Sequence, residues 1–203
     1  MALPILRRRF HMALDFESDE NSISAWAHRV GMLDLGSPVP ASERCEASDL
    51  SAICERISRY CWAYDERRIE HLGDCFTDDA IWEGNVLGQV TIGPFEGRKA
   101  IVDWLSKFWP HQKDQRRHMI LNTIIETKND ETAATSSYLL LMASKGDSIS
   151  MESMGFYRVI YRRDGPAWRI ARLTAGFDKP FWPGQLKTMS EKGRVRHGVF
   201  ERP

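Results

Sequence analysis

Tyr60-Cys-Trp-Ala-Tyr-Asp65 closes the most regular amphipathic segment of this chain. Upstream of it, Leu50, Ile53, Cys54, Ile57, Cys61 and Tyr64 recur at helical spacing, and Glu55, Arg56, Ser58 and Arg59 take the opposite side. Ser48 and Asp49 supply N-cap and first-turn chemistry. The pattern predicts a helix from Ser48 that delivers two phenols and a carboxylate at its exit.

The chain beyond that exit alternates between two periods. A shorter helix is expected to turn Ile69, Leu72 and Phe76 inward, with Gly73 weakening its end. Thr77-Asp78-Asp79 reads as a turn, residues 80–83 and 89–92 as short strands, and Gly93-Pro94 as the end of the second. Residues 96–108 restore the helical period, with Ile101, Leu105 and Phe108 on one face and Pro110 as the stop. From there the period is two. His118, Ile120, Asn122 and Ile124 share one strand face, and long strands over 132–143, 150–162 and 167–175 follow, separated by turns at Lys128–Asp130, Lys145–Asp147 and Asp164-Gly165. This order predicts an α+β fold: three N-terminal helices packed on a strongly curved, mainly antiparallel sheet, forming a cone-like α+β barrel. Residues 1–45 read as an N-terminal extension and linker, 46–180 as the domain, and 181–203 as a C-terminal tail.

Composition narrows the function classes. Hydrophobic residues make up 42% and charged residues 28% of 203 residues, an ordinary globular profile. Acidic and basic residues balance at 28 each, which argues against a nucleic-acid or membrane-surface binder. No apolar run approaches the ~20 residues of a membrane span. Cys45, Cys54, Cys61 and Cys75 lack metal-ligand or paired-thiol spacing and read as small hydrophobes, in keeping with a cytoplasmic protein.

Five local patterns, in this order, resemble the SnoaL-like branch of the nuclear transport factor 2-like superfold. They are Tyr60-x-x-x-x-Asp65, Leu72-x-x-x-Phe76-Thr-Asp-Asp-Ala80-x-Trp82, Gly93-Pro-x-Glu-Gly97-Arg-x-Ala-Ile101, His118-x-x-x-Asn122 and Asp164-Gly-x-x-Trp168-x-Ile170. The superfold hosts lyases, isomerases, cyclases, oxygenase β subunits and plain ligand binders, so the fold alone does not give the function. Asp65 and His118 match the aspartate and histidine of the lindane dehydrochlorinase type. Tyr60 matches the tyrosine of the bile-acid 7α-dehydratase type, and Tyr64-Asp65 the adjacent pair of scytalone dehydratases. The second histidine of scytalone dehydratases has no counterpart, since His111 falls in a polar loop. The arginine that dehydrochlorinases place on the last strand aligns with Leu173, with Arg172 next to it.

The chemistry of these residues stands beside the resemblance. A neutral imidazole is suited to removing a proton near neutral pH, and a carboxylate on its other nitrogen fixes the tautomer. The expected catalytic residues are therefore His118, Asp65 and Tyr60. Tyr64, Asn122, Trp82, Trp104, Phe108 and Ile120 are expected to line the substrate pocket, with no metal and no cofactor required. The bland alternatives are an N-cap role for Asp65, a strand-entry position for His118 and a core position for Tyr60. The expected function is a dehydratase-like lyase or isomerase acting on a hydrophobic small molecule. The competing expectations are a ligand-binding or scaffolding subunit and a polyketide cyclase. The resemblance implies a homodimer or homotrimer.

Overall fold

The computed structural model describes residues 26–33 and 47–181. Of the expected N-terminal extension and linker only residues 26–33 are described, and the tail beyond 181 lies outside the described residues. A four-residue helix, α1 (Trp26–Arg29), precedes the long α2 (Ala47–Asp65) and the short α3 (Ile69–Asp74). Then come β1 (Phe76–Val86), β2 (Val90–Glu96), α4 (Arg98–Ser106), β3 (Gln115–Lys128), β4 (Thr132–Lys145), β5 (Ser148–Asp164) and β6 (Ala167–Phe177). The strands form one six-stranded sheet in the order β2-β1-β6-β5-β4-β3. All neighbours are antiparallel except β1 and β6, which run parallel. Three helices on a mainly antiparallel sheet is the architecture the sequence predicted.

Apolar periodicity explains which faces meet. α2 buries Ile53, Ile57, Tyr60, Cys61 and Tyr64, and α4 buries Ile101, Val102 and Leu105. They share one core with Leu139, Tyr157, Val159, Tyr161, Leu173 and Ala175 of the sheet. α4 packs on β1, β2 and α3, whereas α2 packs on β3 and β6. Burial pushes the thiols of Cys61 and Cys75 above their ordinary range, which keeps them neutral hydrophobes.

Several local expectations are corrected. Ser48 lies inside α2, which starts at Ala47. Ile69 is 50% exposed, because α3 turns only Leu72 and Gly73 inward. Thr77-Asp78-Asp79 is not a turn but part of β1, at an irregularity where the register to β6 shifts between Phe76 and Ile81. β2 does not end at Gly93-Pro94 but passes through it on a cis peptide bond. On β3 the alternation breaks: the register to β4 shifts between Leu121 and Ile124, and Asn122 sits there at φ 51°.

The outer face of the sheet carries what no helix of the core covers. Leu121, Tyr138 and Phe156 are register neighbours across β3, β4 and β5, and Met119, Leu140 and Met154 form the next row. Residues 26–33 cover the Phe156 end: Ala27 and Met32 form a small cluster with Phe156, and the Trp26 ring lies 5.6 Å from it. Trp26 Nε1 donates to Asp178 at 2.7 Å. Met119, Leu121, Tyr138 and Met154 stay exposed.

Candidate active site

α2 ends on a carboxylate, with no basic residue in its last turn. An anion there opposes the helix dipole, so Asp65 needs compensation from elsewhere. The chain reverses just after it through Arg67, at φ 54°, whose N–H donates to the Tyr64 carbonyl while Arg68 N–H donates to the Ala63 carbonyl. This pair of bonds is a Schellman closure with arginine where glycine is usual. Asp65 is thereby left at the helix end rather than capping the next helix; α3 has Arg68 at its N-cap and no side-chain cap.

The compensation comes from the start of β3. Asp65 Oδ2 accepts the His118 backbone N–H at 2.8 Å, and Asp65 Oδ1 lies 2.6 Å from His118 Nδ1. A carboxylate only accepts, so Nδ1 carries a proton, and in the neutral imidazole this tautomer leaves the lone pair on Nε2. Around this pair, Gln115 Nε2 donates to the Asp65 carbonyl at 3.1 Å, and Arg117 reaches Glu66 at 2.8 Å. Side-chain exposure is 4% for Asp65 and 11% for His118. His118 is thus held nearly buried at strand entry, not half in solvent.

The other expected residues lie in two groups of rings, one at Tyr64 and one on the α4 side. Tyr64 presents its edge to His118 at 5.2 Å, and its hydroxyl accepts from Gln112 Nε2 at 2.9 Å. Trp109 meets Tyr64 at 6.0 Å. On the α4 side, Trp104 stacks on Phe95 at 4.3 Å, touches Phe108 at 4.9 Å, and Phe95 leads to Trp82 at 6.1 Å. Trp82 Nε1 donates to the Tyr60 hydroxyl at 3.3 Å. Ile120 packs against the same core. Tyr60 is a core phenol, in T-shaped contact with Phe76 at 5.7 Å and with Tyr157 at 6.0 Å. Burial pushes the Tyr60 and Tyr64 phenols up, so both keep their protons. Asn122 is not brought to the group; it is exposed on the β3 bulge.

Sequence reasoning missed Phe95, Trp109, Gln112 and Gln115. Trp109 was signalled by its place directly after Phe108 and before Pro110. Nothing in the local sequence marks the two glutamines. Arg172, the neighbour of the position where dehydrochlorinases carry arginine, pairs with Glu83 at 3.0 Å, and Leu173 is fully buried. Among the described residues, no group of three or more His, Cys, Asp or Glu side chains is arranged to hold a metal ion.

A groove of about 550 Å³ lies elsewhere, on the outer side of α2 and α3, and is lined by Arg56, Arg59, Trp62, His71, Asp74 and Trp168. Two of its guanidinium groups are engaged locally: Arg56 donates to the Trp168 carbonyl and Arg59 pairs with Glu55. Neither Asp65 nor His118 borders it.

Residues 46–174 match the model of the SnoaL-like domain family. The chain belongs to the SnoaL-like family. Several solved structures share its fold. A Nostoc punctiforme protein of unknown function with a cystatin-like fold is 20% identical, over 69% of this chain and 98% of its own, with a TM-score of 0.59. An NTF2-like protein from Novosphingobium aromaticivorans is 22% identical, over 64% and 82%, at 0.54. The β subunit of a proposed aromatic-ring-hydroxylating dioxygenase from the same organism is 16% identical, over 70% and 97%, at 0.59. At these identities the likeness establishes the fold. A search of curated protein sequences found no significant match. This SnoaL-like chain also has, among its described residues, no helix long and apolar enough to cross a membrane.

Proposed function

We propose that this SnoaL-like protein is a cofactor-independent lyase or isomerase, dehydratase-like in its chemistry, acting on a hydrophobic small molecule in the cytoplasm. The observation that carries the proposal is the double hold of Asp65 on the ring and backbone of His118. His118 Nε2 takes a proton from a carbon next to an activating group. The electron pair left on that carbon forms a double bond as hydroxide or halide departs from the neighbouring carbon, or is reprotonated elsewhere in an isomerisation. Asp65 stabilises the imidazolium that forms and keeps the ring in place. Tyr64, edge-on to His118 and protonated, donates to the substrate or leaving-group oxygen; Tyr60 is too deep among core rings to be preferred for this. Trp82, Trp104, Phe108 and Ile120 supply apolar wall. The same base would serve a polyketide cyclase, in which the carbanion closes a ring instead.

A second reading, a scaffolding subunit without chemistry of its own, draws on the exposed apolar rows at Met119, Leu121, Tyr138 and Met154 and on the likeness to an oxygenase β subunit. We favour these rows as the contact of a homodimer or homotrimer. The two readings separate on a turnover screen. Hydroxylated, halogenated and ketonic ring compounds are incubated with the full chain and followed for loss of water, loss of halide or double-bond migration. The proposal expects at least one to turn over and His118→Ala to abolish it. Full turnover in both Asp65→Asn and His118→Ala overturns it.

A further inference from the structure

Arg67 sits at φ 54°, a conformation that glycine takes without strain and arginine does not. What arginine adds at the exit of α2 is reach. Its Nη2 donates to the Gln112 carbonyl at 2.8 Å, 45 residues on, in the loop 107–114 between α4 and β3. The backbone N–H of Gln112 closes a turn on the Phe108 carbonyl at 3.1 Å. With both main-chain polar groups held, Gln112 extends its side-chain amide to Tyr64, where Nε2 donates to the hydroxyl at 2.9 Å. Trp109, from the same loop, packs on the Tyr64 ring at 6.0 Å.

The direction of that last bond matters. A phenol has one proton to give and lone pairs on which to receive. An amide N–H on its oxygen leaves the proton free and stabilises the phenolate that would form. An amide oxygen in the same place would tie the proton up. Tyr64 is also the phenol that meets the His118 ring, at 5.2 Å, so the relay from Arg67 through Gln112 ends beside the imidazole. The other charges about the phenol are Asp65 on its own helix, Arg67 at the turn and Arg116 on β3. Burial holds the phenol up, and the Gln112 N–H leads the influences that bring it down.

We propose that Gln112, anchored by Arg67, is a positioning residue for the proton-donating step: it holds the Tyr64 hydroxyl by its oxygen and leaves the hydroxyl proton for an oxygen leaving group. This rests on the assignment of His118 as the base and adds the residues that prepare its partner. As the carbon–oxygen bond breaks, the departing hydroxide takes the Tyr64 proton and leaves as water. The phenolate left behind keeps the Gln112 N–H as a charge-assisted hydrogen bond. The proton that His118 Nε2 removed from carbon then restores the phenol, so one cycle releases one water and consumes nothing else. The strained backbone at Arg67 accompanies this anchor, as strain does at functional positions.

The test follows the phenols of the full chain, labelled with 3-fluorotyrosine, by ¹⁹F NMR as the pH is raised. Fluorination brings phenol ionisation to lower pH, and Tyr64→Phe identifies the Tyr64 signal among five. Gln112→Met keeps the length of the side chain and removes the donor; the ionisation of Tyr64 should move up by about one pH unit. Arg67→Gly relieves the turn, so its thermal midpoint should hold or rise, and yet the Tyr64 ionisation should move up as well. On the hydroxylated ring compounds of the turnover screen, Gln112→Met should lower kcat about tenfold and leave KM within about twofold. A Tyr64 ionisation that stays or moves down in Gln112→Met overturns the proposal, because the amide then does not donate. A Tyr64 ionisation unmoved in Arg67→Gly, or a kcat unchanged in Gln112→Met, overturns it too. Failure here is distinct from failure of the lyase or isomerase assignment. If Gln112 plays no such part, turnover still depends on His118; if His118 is not the base, turnover survives His118→Ala while Tyr64 still answers to Gln112.

Discussion

Asp65 holds His118 at two points, with Oδ1 2.6 Å from the ring Nδ1 and Oδ2 2.8 Å from the backbone nitrogen. One carboxylate at a helix end thus fixes both the first turns of β3 and the tautomer of the imidazole. Asp65→Asn keeps the shape but replaces one acceptor oxygen with an NH₂ donor; with the remaining oxygen on the His118 backbone N–H, the NH₂ faces Nδ1 and holds the ring in the other tautomer, in which Nε2 carries the proton. Turnover should fall by about 10²- to 10⁴-fold. Thermal unfolding should show a loss of only about 1 kcal/mol, because charge-assisted hydrogen bonds become neutral ones.

Tyr60 and Tyr64 separate by the same kind of reasoning. Tyr60→Phe strips the acceptor from Trp82 Nε1 and should cost about 1–3 kcal/mol of stability, with a smaller effect on turnover than Tyr64→Phe. Denaturant titration and steady-state kinetics on the two variants check the ordering.

Gly176 lies under the ring of Phe156: a Cβ there would come within 2.0 Å of it. That ring is buried and also meets Trp26 at 5.6 Å, so it has little room to yield. Gly176→Ala should destabilise by about 1–3 kcal/mol, as overpacking does. Gly155→Ala should cost more, because its Cβ would meet the backbone oxygen of Gly176 at 2.0 Å. Urea midpoints of the two variants give the comparison.

Arg162 hydrogen-bonds Asp79 and lowers its carboxyl from 3.8 to about 2. A carboxyl depressed in the folded state adds stability above its unfolded pKa and loses it as pH falls through the folded one. The contribution should be complete above pH 3.8 and gone by about pH 2. The pair is exposed, which limits it to at most about 1 kcal/mol. Asp79→Asn should therefore be less stable than wild type at pH 6 and equal to it near pH 2, with the gap shrinking in high salt.

The exposed rows of the outer sheet make a prediction about assembly. Tyr138→Lys with Met154→Lys should convert a dimer or trimer to monomer in sedimentation velocity, with the core unaffected. A wild-type monomer would count against the contact.

How much of this was legible in the sequence follows from the range of each interaction. α2 and its exit at Asp65 were readable because apolar spacing is local, and the succession of short patterns carried the family. β3 shows the limit. Period-two alternation placed His118 and Ile120 on the inner side, but it gives no notice of a bulge, so Asn122 was assigned to a face it does not share. Ile69 misled in the same way, since one helical turn has too few residues for the period to choose a face. Gln112 and Gln115 act across 48 and 50 residues of chain, and a lone glutamine carries no local mark of such a partner. Residues 26–33 were readable only as part of an N-terminal extension; that they lie on the outer sheet depends on Phe156, far along the chain.

The central claim is that His118, held by Asp65, removes a proton from carbon. The most direct measurement is the rate at which deuterium is lost from the reacting carbon of the best compound from the turnover screen, labelled at that carbon, with wild type and His118→Ala compared with and without added imidazole. The account predicts loss of the label with wild type, a fall of about 10²- to 10⁴-fold in His118→Ala, and partial recovery as imidazole fills the vacated position. Loss of the label with His118→Ala at the wild-type rate would contradict it.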